Sequence, residues 1–111
     1  MHGMIEYDDF LKVEIRVGKI VDVQQFPKAK KPAYRLKIDF GAYGVKQSSA
    51  QITNYSKKEL LGRLIVAVTN FSPKNIAGFQ SEVLVLGTYL ESGVVELIAP
   101  SENAKLGSLV R

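Results

Sequence analysis

Hydrophobic and polar positions alternate most strictly over Ala33–Phe40, where Tyr34, Leu36, Ile38 and Phe40 interleave with Arg35, Lys37 and Asp39. A period of two belongs to a strand with one face on a core and the other on water or a charged ligand. Val13–Gln25 alternates over a longer span, with Ile15, Val17, Val21 and Val23 on one face and Arg16, Asp22 and Gln24 on the other. Gly18 interrupts this span, and a glycine inside a strand marks a bulge or a sharp bend. A long first strand that bends lets a small sheet curl back on itself. Val45–Thr53, VKQSSAQIT, predicts a third strand rich in hydroxyl and amide side chains. Two unbroken apolar runs follow, Leu64–Val68 and Val83–Leu86, and then a shorter strand, Val94–Ile98, which Pro100 ends.

The punctuation between these runs is equally informative. Phe26–Pro32 is a loop bracketed by two prolines, and Gly41 and Gly44 frame a turn. Ser56 and Glu59 have the spacing of a capping box, which starts a short helix that Gly62 stops. Ile5–Lys12 predicts a short helix or 3₁₀ turn, with Asp8 or Asp9 as its cap. Asn70–Glu82 has no strand period; with Pro73 at a turn-forming position among Asn70, Ser72, Gly78 and Ser81, it predicts a long loop held rigid by the apolar runs on either side. Ser101–Leu109 closes the chain. Five or six short strands with one helix between the third and fourth predict an all-β fold. The arrangement is that of a five-stranded OB-fold Greek-key barrel with short terminal extensions, residues 1–111 forming one domain. Met4 offers an alternative start, with Met1–Gly3 as an extension ahead of it.

In a lone small barrel each strand has one wet face, yet Leu64–Val68 and Val83–Leu86 are apolar on both. Their outer faces need a cover, from the termini or from a second copy of the chain, and a homodimer with a symmetric interface is expected.

Composition narrows the chemistry. Apolar residues make up 46% of the chain, enough for a core, but no run approaches the roughly 18–20 residues that span a bilayer, so no membrane insertion is expected. MHGMIEYDDF is acidic and lacks a signal-peptide pattern, which leads to an expected cytoplasmic location. The absence of cysteine excludes disulfides and thiolate metal sites. His2 is the sole histidine, so no Ser-His-Asp or Cys-His pairing and no zinc set can form. Asp8 and Asp9 diverge as neighbours, and Ser48 and Ser49 have no base to activate them. These observations point to a binding protein with no catalytic residue, no metal and no cofactor. The formal net charge of +4 is unevenly spread. Lys28, Lys30, Lys31, Arg35, Lys37, Lys46, Lys57 and Lys58 crowd between Val23 and Lys58, where Asp39 is the only acid before Glu59, while most other acids lie nearer the two ends. Such a stretch reads either as a solvated surface or as a face for anions such as RNA phosphates.

Arg16-Val-Gly-Lys-Ile20 and Asn70-Phe-Ser-Pro-Lys-Asn-Ile-Ala-Gly-Phe-Gln-Ser-Glu82 together resemble the tRNA-binding domain with an OB-fold that is appended to methionyl-tRNA synthetases and occurs in the endothelial monocyte-activating polypeptide. Asn70, Pro73, Lys74, Gly78, Ser81 and Glu82 fit that family's pattern after its fourth strand. Phe26-Pro-Lys-Ala-Lys-Lys-Pro-Ala-Tyr-Arg-Leu-Lys-Ile-Asp-Phe-Gly41 and Ser48-Ser-Ala-Gln-Ile-Thr53 are similar to the family's CsaA branch. That branch consists of small homodimeric proteins regarded as secretion-related chaperones for unfolded or precursor polypeptides. Where tRNA-binding members carry His-Pro-x-Ala-Asp, this chain has Phe26-Pro-Lys-Ala-Lys30.

Two ligand classes follow. A polypeptide would use Phe26, Tyr34, Phe71, Ile76 and Phe79 as an apolar groove near the barrel mouth, with Ser48, Ser49, Gln51 and Asn70 hydrogen-bonding its backbone. A tRNA or other structured RNA would meet Lys30, Lys31, Arg35, Lys37, Lys46 and Lys74 through its phosphates, with Asn70 and Ser81 on sugars or bases. The resemblance ranks the chaperone first.

Overall fold

The computed structural model describes residues 3–111 and is organised on β1 (Ile15–Gln25), which serves two antiparallel ladders. Its first half pairs with β4 (Leu64–Val68), Val17 opposite Val66 and Gly18 opposite Ile65. Its second half pairs with β2 (Tyr34–Asp39), and Lys19 belongs to both ladders, facing Leu64 on one side and Asp39 on the other. Gly18 makes this possible: a Cβ there would lie 2.5 Å from Ile38 Cγ2 and 2.7 Å from the Phe40 ring. The expected bend therefore lies at Gly18, and a register shift between Ile20 and Asp22 completes it. The shift corrects one expectation. Val21, placed by alternation on the core face, is instead extruded and 42% exposed, while Ile20 is fully buried.

The strand order is β3-β2-β1-β4-β7, with β3 at Val45–Ala50 and β7 at Leu84–Val85. The Val45–Thr53 strand thus ends three residues early, and Val83–Leu86 shrinks to two paired residues. The chain then turns into β8 (Gly87–Tyr89), which pairs with β9 (Val95–Leu97). Asn70–Glu82 is not a loop. It is a hairpin of β5 (Lys74–Ile76) and β6 (Phe79–Ser81) turning at Ala77 and Gly78, whose φ values are 49° and 87°. Two consecutive positive φ values are those of a type I′ turn, and the usual Asn-Gly signal is replaced here by Ala-Gly. Asn75 Oδ1 accepts from Gly78 N–H at 2.9 Å and steadies the turn.

Side chains as well as backbone close the barrel between β3 and the end of β6 with the residues that follow it. Glu82 N–H donates to the Gln47 carbonyl at 2.9 Å, and Gln47 N–H to Glu82 Oε1 at 3.0 Å. Ser49 N–H donates to Ser81 Oγ at 3.0 Å, and the buried Ser48 hydroxyl to the Val83 carbonyl at 2.9 Å. The enclosed core contains Ile20, Val23, Tyr34, Leu36, Ile38, Phe40, Ile52, Leu60, Ile65, Ala67 and Val83. Leu60 reaches it from α2 (Lys57–Leu60), and the expected capping box is present: Glu59 N–H donates to Ser56 Oγ and Ser56 N–H to Glu59 Oε1. The bond from Ser56 N–H holds the Glu59 carboxyl below its ordinary value of 4.5. The predicted first helix is α1 (Tyr7–Leu11), but the residue at its N-cap is Glu6 and not Asp8 or Asp9; Asp9 instead accepts from Glu6 N–H at 3.0 Å.

On the outer side of β1 and β4, Val17, Val66 and Val68 keep only 4%, 6% and 5% of their surface within the single chain. Beside them the C-terminal segment pairs with the first half of β1, through Val17 N–H to the Ser108 carbonyl, Gly107 N–H to the Val17 carbonyl and Val110 N–H to the Ile15 carbonyl. Arg16 secures the segment: Nη1 donates to the Gly107 carbonyl at 2.8 Å, Nη2 to Glu14 Oε1 at 3.0 Å, and the guanidinium lies 3.7 Å over the Tyr43 ring. The apolar character of β4 on both faces is thus satisfied within one chain. His2 lies outside the described residues.

Two predictions concern these contacts. Gly18→Ala overpacks the crossing and lowers unfolding free energy by about 1–3 kcal/mol, measured by urea titration. Glu59→Gln tests the cap. Because the carboxyl is lowered in the folded state, its stabilisation is present at neutral pH and is lost as pH falls through that lowered range. The native chain is then more stable than Glu59→Gln at pH 7, and thermal melts of the two converge in acid below the ordinary glutamate range.

Candidate functional site

The alternation of β2 sends Tyr34, Leu36 and Ile38 inward and leaves Arg35 and Lys37 outside. Register then decides their neighbours. Arg35 is flanked by Gln24 on β1 and Ser49 on β3, and Lys37 by Asp22 and Gln47. The result is a polar outer face across three strands. Phe26, just past the end of β1, is buried, and the β5–β6 hairpin brings Phe79 against it edge to face, with ring centroids 5.5 Å apart. The hairpin is tied to the sheet by Gln47 Nε2, which donates to the Gln80 carbonyl at 2.9 Å.

Two adjoining cavities lie along this face. The first, about 360 Å³, is lined by Phe26, Pro27, Lys28, Arg35, Ala77, Gly78 and Phe79. The second, about 330 Å³, is lined by Asp22, Gln24, Arg35, Leu36, Lys37, Gln47 and Phe79. Arg35 and Phe79 border both, so the two form one groove. The Arg35 guanidinium sits 5.6 Å from the Phe26 ring centre, and its Nε donates to the Gln25 carbonyl at 3.3 Å. The Gln24 amide donates to both Asp22 carboxylate oxygens, at 3.3 and 3.2 Å. The groove therefore has an apolar wall at one end, a polar floor at the other and cations along its length. Among the described residues no group of three or more His, Cys, Asp or Glu side chains is gathered for a metal, and no helix is long and apolar enough to cross a membrane.

Residues 15–109, all nine strands and the whole groove, match the model of the putative tRNA binding domain. The chain belongs to that family. Among solved structures of the same fold, it is 53% identical to the CsaA chaperone protein from Picrophilus torridus, with 97% of this chain and 100% of that one covered at a TM-score of 0.92. It is 47% identical to the chaperone CsaA from Bacillus anthracis, covering 98% and 100% at the same TM-score of 0.92. The methionine–tRNA ligase of Thermococcus onnurineus is 40% identical over 98% of this chain, which spans only 15% of that enzyme.

The Arg-Val-Gly of this tRNA-binding-domain chain is structural: Arg16 holds the C-terminal segment and Gly18 the crossing. Of the residues expected to bind polypeptide, Phe26 and Phe79 meet in the groove. Tyr34 does not, since it faces the core and its hydroxyl donates to the Tyr55 carbonyl at 2.9 Å. Ser48 is likewise buried on the core side, and the Ser81 hydroxyl is taken by Ser49 N–H, so Ser81 serves barrel closure, while the half-buried Ser49 stands beside Arg35 on the outer row and lines neither cavity. Asn70 is committed to the segment before β1, accepting from Glu14 N–H at 2.9 Å and donating to the Lys12 carbonyl at 2.7 Å. Phe71, 57% exposed, and the half-buried Ile76 line neither cavity, and Gln51 lies past the end of β3.

Of the expected phosphate contacts, Arg35 and Lys37 are in the groove. Lys30 and Lys31 are exposed on the Phe26–Pro32 connection outside it. Lys46 pairs with Ile38, on the opposite face of the sheet from Arg35, and Lys74 stands on β5 opposite Ser81. Lys28, Pro27, Asp22, Gln24, Leu36, Gln47, Ala77 and Gly78 complete the lining and were not among the expected site residues. Alternation had already placed Asp22 and Gln24 on the polar face of β1. Gln47 joins them only through the β2–β3 register, and Ala77 and Gly78 only through the hairpin.

Proposed function

We propose that this chain is a non-enzymatic, homodimeric, CsaA-like molecular chaperone of the cytoplasm that binds unfolded or precursor polypeptides for protein secretion. The observation that carries the reading is the apolar wall of Phe26, Pro27, Ala77 and Phe79 on an otherwise polar sheet face. The 53% and 47% identity to CsaA chaperones across almost the whole chain supports it. Burying one apolar side chain against such a wall yields roughly 1.5–3 kcal/mol, so a few anchors give weak, broad recognition. A dimer is supported by the large apolar side chains left on the surface, among them Met4, Ile5, Tyr7, Leu84 and Leu109. No step of this function requires a cofactor.

A second reading, binding of tRNA, is supported by the family and by Lys28, Arg35 and Lys37 in the same groove.

Phe79→Ala lowers affinity for a permanently unfolded polypeptide by about tenfold, equivalent to about 1.4 kcal/mol, in a fluorescence titration; unchanged affinity refutes the groove. Light scattering at micromolar concentration returns twice the chain mass, and a monomeric mass refutes the dimer. Affinity for tRNA falls steeply between low and moderate salt, whereas polypeptide affinity stays nearly flat. A tRNA response that is flat or absent removes the second reading.

A further inference from the structure

The apolar and cationic parts of the groove are not separate patches. Arg35 lies over the Phe26 ring, borders both cavities, and is held there by Gln25. Among the described residues its Nε has a protein hydrogen-bond partner and its two terminal nitrogens have none. Those nitrogens form the planar fork that matches a phosphate in two-point contact. Lys37 follows two residues along the same strand face, and Lys28 stands at the apolar end. Against these three cations the lining offers one carboxylate, Asp22, which the Gln24 amide already engages. A phosphodiester chain following the cations must therefore pass over the wall of Phe26 and Phe79. A polypeptide seated on that wall lies against the ring that the Arg35 guanidinium covers, where the phosphate would also bind.

We infer that RNA and polypeptide exclude one another from this groove, so that RNA displaces a bound polypeptide. The inference rests on the polypeptide reading proposed above and adds a regulator to it. Arg35 is the residue both ligands must share. Because phosphate binding releases counterions and apolar burial does not, the exclusion weakens as salt rises.

The test uses the full chain with two probes, fluorescently labelled lactalbumin kept unfolded by reduction and carbamidomethylation, and unfractionated tRNA. Unlabelled tRNA at ten times its own directly measured Kd raises the apparent Kd of the polypeptide by about tenfold, as simple competition requires. Arg35→Ala, at an exposed position, weakens both probes by fivefold or more, while Lys105→Ala, at an exposed position in the C-terminal segment, changes neither. A ternary complex, or a polypeptide Kd unmoved by saturating tRNA, overturns the exclusion and leaves the chaperone reading intact. An Arg35→Ala effect confined to one probe overturns it in the same way, as does tRNA that does not bind at all. A polypeptide that fails to bind the native chain overturns the chaperone reading and the exclusion together.

Discussion

The fold depends on a contact made where a side chain is missing. At Gly18 the strand β1 passes directly over Ile38 and the Phe40 ring, closer than any Cβ permits. That approach lets one strand leave its ladder with β4 and enter its ladder with β2 within a single residue, Lys19. The curl of the barrel, the inward row of β2 and hence the outward row of Arg35 and Lys37 all follow. The extruded Val21 restores phase after the bend, so that Val23 returns to the core and Asp22 and Gln24 face out beside Arg35 and Lys37.

A second constraint joins the barrel to its grooved face. β3 has no full strand on its outer edge. Glu82 and Ser81 supply side-chain acceptors for the N–H groups of Gln47 and Ser49, and one backbone bond completes the seam. An unpaired edge would invite another chain, and here side chains from the last residue of the hairpin and the one after it cover it. The same contacts fix the hairpin, and with it Phe79 against Phe26. Barrel closure and groove formation are therefore one event. This explains why the hydroxyls of Ser48 and Ser81, which have the chemistry of ligand contacts, are spent inside the structure, while Ser49 gives the seam its backbone N–H.

Much of the fold was legible because alternation and turn chemistry are local. The β2 pattern, the glycine in β1 and the Ser56–Glu59 box each state their conformation within a few residues. The hairpin was not legible because its turn, Ala77-Gly78, lacks the residue type that ordinarily accepts the first positive φ. The expected site residues that lie outside the groove were misplaced for a different reason. Asn70 has the amide of a ligand contact, but its partners, Lys12 and Glu14, lie more than fifty residues away in the chain. Tyr34 is aromatic and borders a basic loop, yet strand parity turns it to the core while its neighbour Arg35 faces the groove.

The sequence by itself determined that this is a small all-β barrel of the tRNA-binding-domain family and placed cations and aromatics in its first two strands and after its fourth. Tertiary structure decided which of them meet. Period two says only which residues share a face of one strand. The register between strands, set by the bend at Gly18 and the bulge at Val21, says which faces lie side by side. That register put Arg35 between Gln24 and Ser49 and Lys46 on the opposite face. The closure of β3 by Glu82 and Ser81 then brought Phe79, far along the chain, onto Phe26. Pairing across such distances depends on the whole set of contacts being made at once, and no single stretch of sequence contains it.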